Sequence, residues 1–206
     1  MLSEERPTFT ISHFDYPQMP HFMEVLEKSY NDIGINVKFE KLPLDRGLKM
    51  ISEGMVDADV IRTDIRLKDV ENVITVELLS RGDIVLLCRQ EVPCNKEILN
   101  DPEAIIGAQI ITQDYLRKHF GKFVNAIFIN VSEHKKVEEL LLKDHLKYTI
   151  ISTVADVVPE QFANYKHHRL FSIYGYHSVH KKHKALVPEL AAAIRKHQQD
   201  TILATK

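Results

Sequence analysis

Cysteine is scarce in this chain, neither sign of charge is in excess, and no long apolar run occurs. Two cysteines among 206 residues do not by themselves supply a four-ligand metal site. Cys88 and Cys94 flank a short segment containing Pro93. That spacing fits a small disulfide loop in an oxidising compartment and equally two free thiols. Twenty-seven Lys and Arg against 29 Asp and Glu leave a formal net charge of −2. A nucleic-acid partner is therefore not expected, because no basic footprint for a phosphate backbone is visible. No stretch approaches the roughly 20 apolar residues that span a bilayer. The opening MLSEERPTF lacks the basic start and apolar core of a signal peptide. P-loop, GxSxG and HExxH motifs and zinc-type cysteine pairs are also missing, so no familiar catalytic or cofactor signature is present and no cofactor is expected.

What is present is an ordinary globular composition, 44% hydrophobic and 27% charged, with enough length for a substantial core. TFTIS (8–12) alternates as a strand, and two prolines follow in HFDYPQMP. Phe22, Val25, Leu26 and Tyr30 then recur at helical spacing before Gly34. INVKFEKL alternates again; Leu44, Leu48 and Ile51 form a short helical stripe closed by Gly54; MVDADVIR supplies a third strand. Residues 8–62 thus read βαβαβ.

The same order recurs over residues 108–152. AQII is expected as a strand, with Thr112 as the N-cap of a helix carrying Tyr115, Leu116 and Phe120. VNAIFIN is the next strand, Ser132 caps a helix with Val137, Leu140 and Leu141, and KYTIIS closes the unit. SRGDIVLLCRQ lies between the copies as a buried-looking strand. After them come HRLFSIYGYHSVHKK and a C-terminal helix marked by Leu186, Leu190 and Ile194, with Pro188 in its first turn. The natural assembly is an α/β protein of two lobes, each a βαβαβ sheet flanked by helices, joined by two crossing segments. The expected division is 1–82 with 174–206 for lobe 1 and 83–173 for lobe 2.

In sheets of this kind ligands gather beyond the carboxyl ends of the strands. Those ends carry Phe14 and Tyr16, then Arg62, Thr63, Asp64 and Arg66, and in the second copy Thr112, Gln113, Asn130, Ser152 and Thr153. An Arg fork suits a carboxylate, helix N-termini suit an anionic group, and an aromatic offers a wall or stacking face. Ser, Thr and Asp after strands are also ordinary caps and turn residues. Arg62, at the end of an apolar strand, must reach solvent or find an acid; Asp57, Asp59 and Asp64 compete with a ligand for it. Among eleven histidines, His177, His180 and His183 invite a metal reading. His177 and His180 are an odd number apart on a strand and face opposite sides, so a solvated basic edge is the favoured reading.

The runs PLDRGLKMISEGMVDADVIRTD, VENVITVELL and YHSVHKKHKALVPELAAAIRKH resemble the amino-acid-type periplasmic solute-binding proteins, which have the type II periplasmic-binding fold. The resemblance follows the family's order over nearly the whole chain and is weakest at GAQIITQDYL, where the family has a glycine-rich turn. It implies a two-lobed protein that closes on a small ligand, an amino acid or other carboxylate, by bending near residues 80–83 and 172–175. Carried over by position, the carboxylate-gripping arginine falls on Arg62 or, with a shifted alignment, on Arg66. The aromatic after the first strand falls on Phe14 or Tyr16, and the receiving helix N-terminus of the second lobe on Thr112 and Gln113. Arg46 and Asp57 take scaffold positions, and Arg81 stands at the first crossing. The resemblance further implies a monomer in the periplasm, its export signal outside this chain, partnered by a membrane permease or a sensor. Two alternatives share the fold: the ligand-sensing domain of a signalling protein, and a cleft enzyme. The enzyme is disfavoured because neither IISTVADVV nor IITQDYL supplies a phosphate-cradling loop.

Overall fold

The computed structural model describes residues 6–16, 18–68, 70–131, 134–143 and 145–204. The chain divides into two compact units, Met1–Ser80 with Tyr174–Lys206, and Arg81–Ile173.

In the first unit, β1 (Thr8–His13), α1 (Met19–Asp32), β2 (Asn36–Lys41), α2 (Leu44–Ser52) and β3 (Ala58–Thr63) follow one another, and the four-residue α3 (Asp64–Leu67) continues directly from β3. β1 lies between β2 and β3, parallel to both. The stripe on α1 buries Phe22, Val25, Leu26 and Tyr30 against Phe9, Ile11 and Val60 of the strands, which is why a helix of low intrinsic preference forms there. Gly54, just past α2, has φ +72°, and a Cβ on it would stand 3.2 Å from the His180 ring. Residues 55–57 are bends, so the third strand starts at Ala58 and not at Met55.

Two long strands, β4 (Val73–Cys88) and, later in the chain, β8 (Lys166–His180), each run from one unit into the other. β8 pairs antiparallel with β3 and then leads through a 3-10 turn to the terminal helix, in which Pro188 occupies the first turn. Leu190 and Ile194 of that helix return to the first core.

The second unit contains β5 (Ile105–Gln109), α4 (Ile110–Phe120), β6 (Ile127–Val131), α5 (His134–Leu142) and β7 (Tyr148–Val154); the terminal helix of the first unit, Val187–Ala204, is α6. β5 is parallel to β6 and β7, and β7 is antiparallel to β4. The full strand order is β2-β1-β3-β8-β4-β7-β5-β6. One face of the second sheet packs Val85, Leu87, Val131, Val137, Leu141 and Ile151 around Phe162.

The start of α4 corrects the sequence expectation. The strand ends at Gln109, Ile110 and Ile111 already belong to the helix, and Thr112 lies within the first turn, not at the N-cap. A continuous apolar run holds both a buried strand and a helix start, and periodicity does not divide them. The expected cap Ser132 lies outside the described residues. Cys88 and Cys94 are joined as a disulfide that ties the end of β4 to the following loop. Among the described residues, no helix is long and apolar enough to cross a membrane.

Candidate functional site

Because β1 and β3 are parallel neighbours, the residues that follow them emerge at one edge of the first sheet. Phe14 and Tyr16 leave β1 there; Thr63, at the end of β3, and Arg66, on α3, leave at the same edge. Phe14 is half-buried against the core, and Tyr16 is 38% exposed with its ring stacked parallel to Phe22, centroids 6.5 Å apart. Burial raises the Tyr16 phenol above its ordinary pKa.

Arg62 is only 3% exposed. Its guanidinium forms an ion pair with Asp59, donates to the backbone carbonyl of Leu44 at 3.1 Å, and lies 5.2 Å from the centroid of the Phe14 ring. Residues three apart on a regular strand face opposite sides; a register shift in the β3–β8 pairing between Asp59 and Arg62 turns both to one face. Ser12 donates to the same Asp59 oxygen at 3.0 Å. α2 approaches this pair at Gly47, where a Cβ would stand 3.1 Å from a guanidinium nitrogen. Burial pushes the Asp59 carboxyl upward, with Arg62, Ser12 and the Ile61 N–H pulling the other way.

Arg66 points differently. Its side chain is 15% exposed and forms an ion pair with Asp45, an exposed acid in the first turn of α2. Asp64, beside it, accepts the backbone N–H of Tyr174 at 3.2 Å. A shallow surface groove of about 510 Å³, lined by Asp45, Leu48, Lys49, Ser52, Val70 and Glu71, adjoins this ion pair. Arg46, expected to pin helix to strand, is exposed on α2. Asp57 does that bracing: it accepts the Thr10 N–H at 3.0 Å and pairs with Lys182 and His183, each at 2.8 Å. Burial raises its carboxyl, and the Lys182, Thr10 and His183 hydrogen bonds outweigh that and hold it below its ordinary value.

The other two histidines of the metal reading, His177 and His180, have structural partners. His177 is fully buried, with Nδ1 donating to the Val60 carbonyl at 3.2 Å and Nε2 accepting from the Tyr30 hydroxyl at 2.9 Å. Burial lowers its pKa to about 4. Nδ1 of His180 accepts the Lys182 N–H at 3.3 Å. Among the described residues, no group of three His, Cys, Asp or Glu is placed to hold a metal ion.

In the second unit, Thr112 and Gln113 turn inward, 1% and 4% exposed. The Gln113 amide donates to the Ala108 carbonyl and to Asn130, locking α4 to β5 and β6. Ile110 instead stands at the helix start, 58% exposed. Ser152 is half-buried opposite Ile84 in the β4–β7 ladder. Arg81 is 43% exposed and pairs with Asp156 at 3.7 Å. Asp83, which the sequence reading placed at the first crossing and not among the site residues, is buried here; it accepts the Ser172 hydroxyl at 2.7 Å and the Asp156 N–H at 2.8 Å. Only its position inside SRGDIVLL, an acid entering an apolar strand, signalled that it needed partners.

No protein-family model matches the chain, and no curated protein matches it. Solved structures do resemble it. A histidine kinase sensor domain with similarity to periplasmic binding proteins matches with TM-score 0.70 at 15% identity, covering 98% of this chain and 96% of that one. The ancestral amino acid-binding protein AncCDT-1, a precursor of cyclohexadienyl dehydratase, matches with TM-score 0.69 at 13% identity, covering 95% and 92%. The arginine-bound form of truncated ArgBP from T. maritima matches with TM-score 0.66 at 13% identity, covering 93% and 96%. At these identities the likeness is one of fold, and the chain has the two-lobed type II fold of the periplasmic solute-binding proteins.

Proposed function

We propose that this chain is an extracytoplasmic binding protein for a small carboxylate, an amino acid or related acid, serving uptake or sensing without chemistry of its own. The observation that carries the reading is the edge of the first unit where β1 and β3 end. Arg66 stands there on α3, beyond Thr63, with the aromatic side chains of Phe14 and Tyr16 leaving the neighbouring strand. A guanidinium fork suits a carboxylate, and the rings suit the rest of a small ligand. Arg62 supports this edge from below: it holds Phe14 and the first turn of α2 and has Asp59 as its counter-charge. Arg66 also has an acid partner, Asp45, but that acid is 85% exposed and can yield to a ligand, so the carboxylate role expected for Arg62 or Arg66 is assigned here to Arg66. In the second unit Thr112 and Gln113 turn inward, Arg81 pairs with Asp156, and Ser152 is half-buried in the β4–β7 ladder, so the reading rests on the first unit.

The Cys88–Cys94 disulfide supports an oxidising compartment. A sensing role has its own support in the likeness to a histidine kinase sensor domain over nearly the full length of both chains. Uptake would require a permease partner and sensing a signalling partner; a monomer with neither nucleic acid nor cofactor suits both.

The test is a thermal-shift screen of the twenty amino acids and short organic acids, followed by calorimetry, since a ligand that binds only the native state raises its apparent stability. Arg66→Ala is expected to weaken the ligand found by about 1.5 to 3 kcal/mol, the scale of a hydrogen bond to a charged group. Unchanged affinity would remove Arg66 from the site.

A further inference from the structure

Arg66 already holds a carboxylate, and that carboxylate belongs to the chain itself. Resting on the reading above, we infer that Asp45 is a built-in competitor for the ligand: its carboxylate occupies the Arg66 fork until an incoming carboxylate displaces it, and so it sets how tightly a ligand binds.

The two partners are unequal. The Arg66 side chain is 15% exposed and that of Asp45 85% exposed. The arginine stands on α3, directly after β3, and the acid reaches it from the first turn of α2. Asp45 and a ligand carboxylate present the same chemical group to the same N–H donors, so each gains the fork at the expense of the other. An ion pair with so exposed an acid is worth about a factor of two to five in an equilibrium constant. That is enough to tax a ligand and too little to exclude one.

The displaced acid has a second partner. Lys49 follows Asp45 by four residues on α2, the spacing and order at which an acid pairs with a lysine one helical turn further on. Lys49 is 74% exposed and faces Glu53 at 3.7 Å, and an ammonium with three donors can serve both acids. The groove of about 510 Å³, lined by Asp45, Leu48, Lys49 and Ser52 among others, opens beside the pair and gives the carboxylate room to swing. The helix itself is held in place: Arg62 donates to the Leu44 carbonyl at 3.1 Å, and Gly47 packs against the same guanidinium. The exchange therefore moves one side chain, which leaves Arg66 for Lys49. Facing either cation, an acid in the first turn favours α2, so its release leaves the helix intact. All of these residues belong to the first unit.

Acetate, a carboxylate with almost no body, is the probe. It is titrated at constant ionic strength, because salt screens exposed pairs, into the full natural chain, Asp45→Asn and Asp45→Glu. The Nε–Hε resonance of Arg66, identified by its absence in Arg66→Lys, reports occupancy. Asp45→Asn is expected to bind acetate about two- to fivefold more tightly than the natural chain, the scale of an exposed ion pair. Asp45→Glu, which keeps a competing carboxylate, is expected to bind it as the natural chain does. A purely structural role for Asp45 predicts no gain in Asp45→Asn, since losing a first-turn acid only weakens the helix beside the site. Equal or weaker binding in Asp45→Asn would overturn the competitor and leave Arg66 as the receiving residue. A gain in Asp45→Glu as large as that in Asp45→Asn would overturn it too. No response of the Arg66 resonance to acetate in any of the three chains would overturn both the competitor and the carboxylate reading.

Discussion

Removing Arg62 would leave Asp59, 1% exposed, without its counter-charge. Breaking a buried pair by deleting one partner is destabilising by about 3 to 5 kcal/mol, so Arg62→Ala is expected to lower folding stability on that scale in a urea titration. Burial already pushes the Asp59 carboxyl upward, so the orphaned acid can escape by taking up a proton. The loss should then be smaller at pH 5 than at pH 8, and a loss equal at both would argue against the pair. His177 makes a second prediction at this scale. Its pKa is held near 4 in the fold against about 6.5 in an unfolded chain. The unfolded state therefore binds the extra proton between those values. The contribution is fully present above pH 6.5 and is lost as the pH falls toward 4, about 3 kcal/mol in all. His177→Gln should flatten that part of the stability profile; an unchanged slope would mean that His177 is not buried neutral.

At the scale of elements, most of the architecture was legible because period and punctuation agree. Phe22, Val25, Leu26 and Tyr30 mark α1 and form its buried face, and Gly54 marks the stop of α2 at a positive φ. Gly54→Ala is expected to destabilise by more than about 1 kcal/mol, since it meets both an unfavourable backbone and the His180 ring. A neutral result in thermal unfolding would contradict the turn described. What was not legible was decided by packing. The shift between Asp59 and Arg62 depends on how β8 pairs with β3 from more than a hundred residues away, so local sequence left Arg62 between an acid and a ligand. The run from Ile105 to Ile111 changes from strand to helix inside apolar residues, and this moved Thr112 from the expected N-cap to a buried position in the first turn of α4. The disulfide was open at the sequence level for a similar reason, since spacing alone does not say whether two thiols meet.

At the scale of the whole molecule, the two βαβαβ copies and the two long strands connecting them place the chain in the type II periplasmic-binding fold, as the solved structures of this shape also do. That fold hosts receptors and sensors alike, so function rests on the strand-end residues. The central claim is that Arg66 receives a carboxylate while Arg62 serves the scaffold. Calorimetry on Arg66→Ala, with the carboxylate that most raises the melting temperature of the natural chain, tests it most directly. A loss of about ten- to a hundredfold in affinity, roughly 1.4 to 2.7 kcal/mol, with folding stability nearly unchanged is the predicted result. Full affinity in Arg66→Ala would contradict the account.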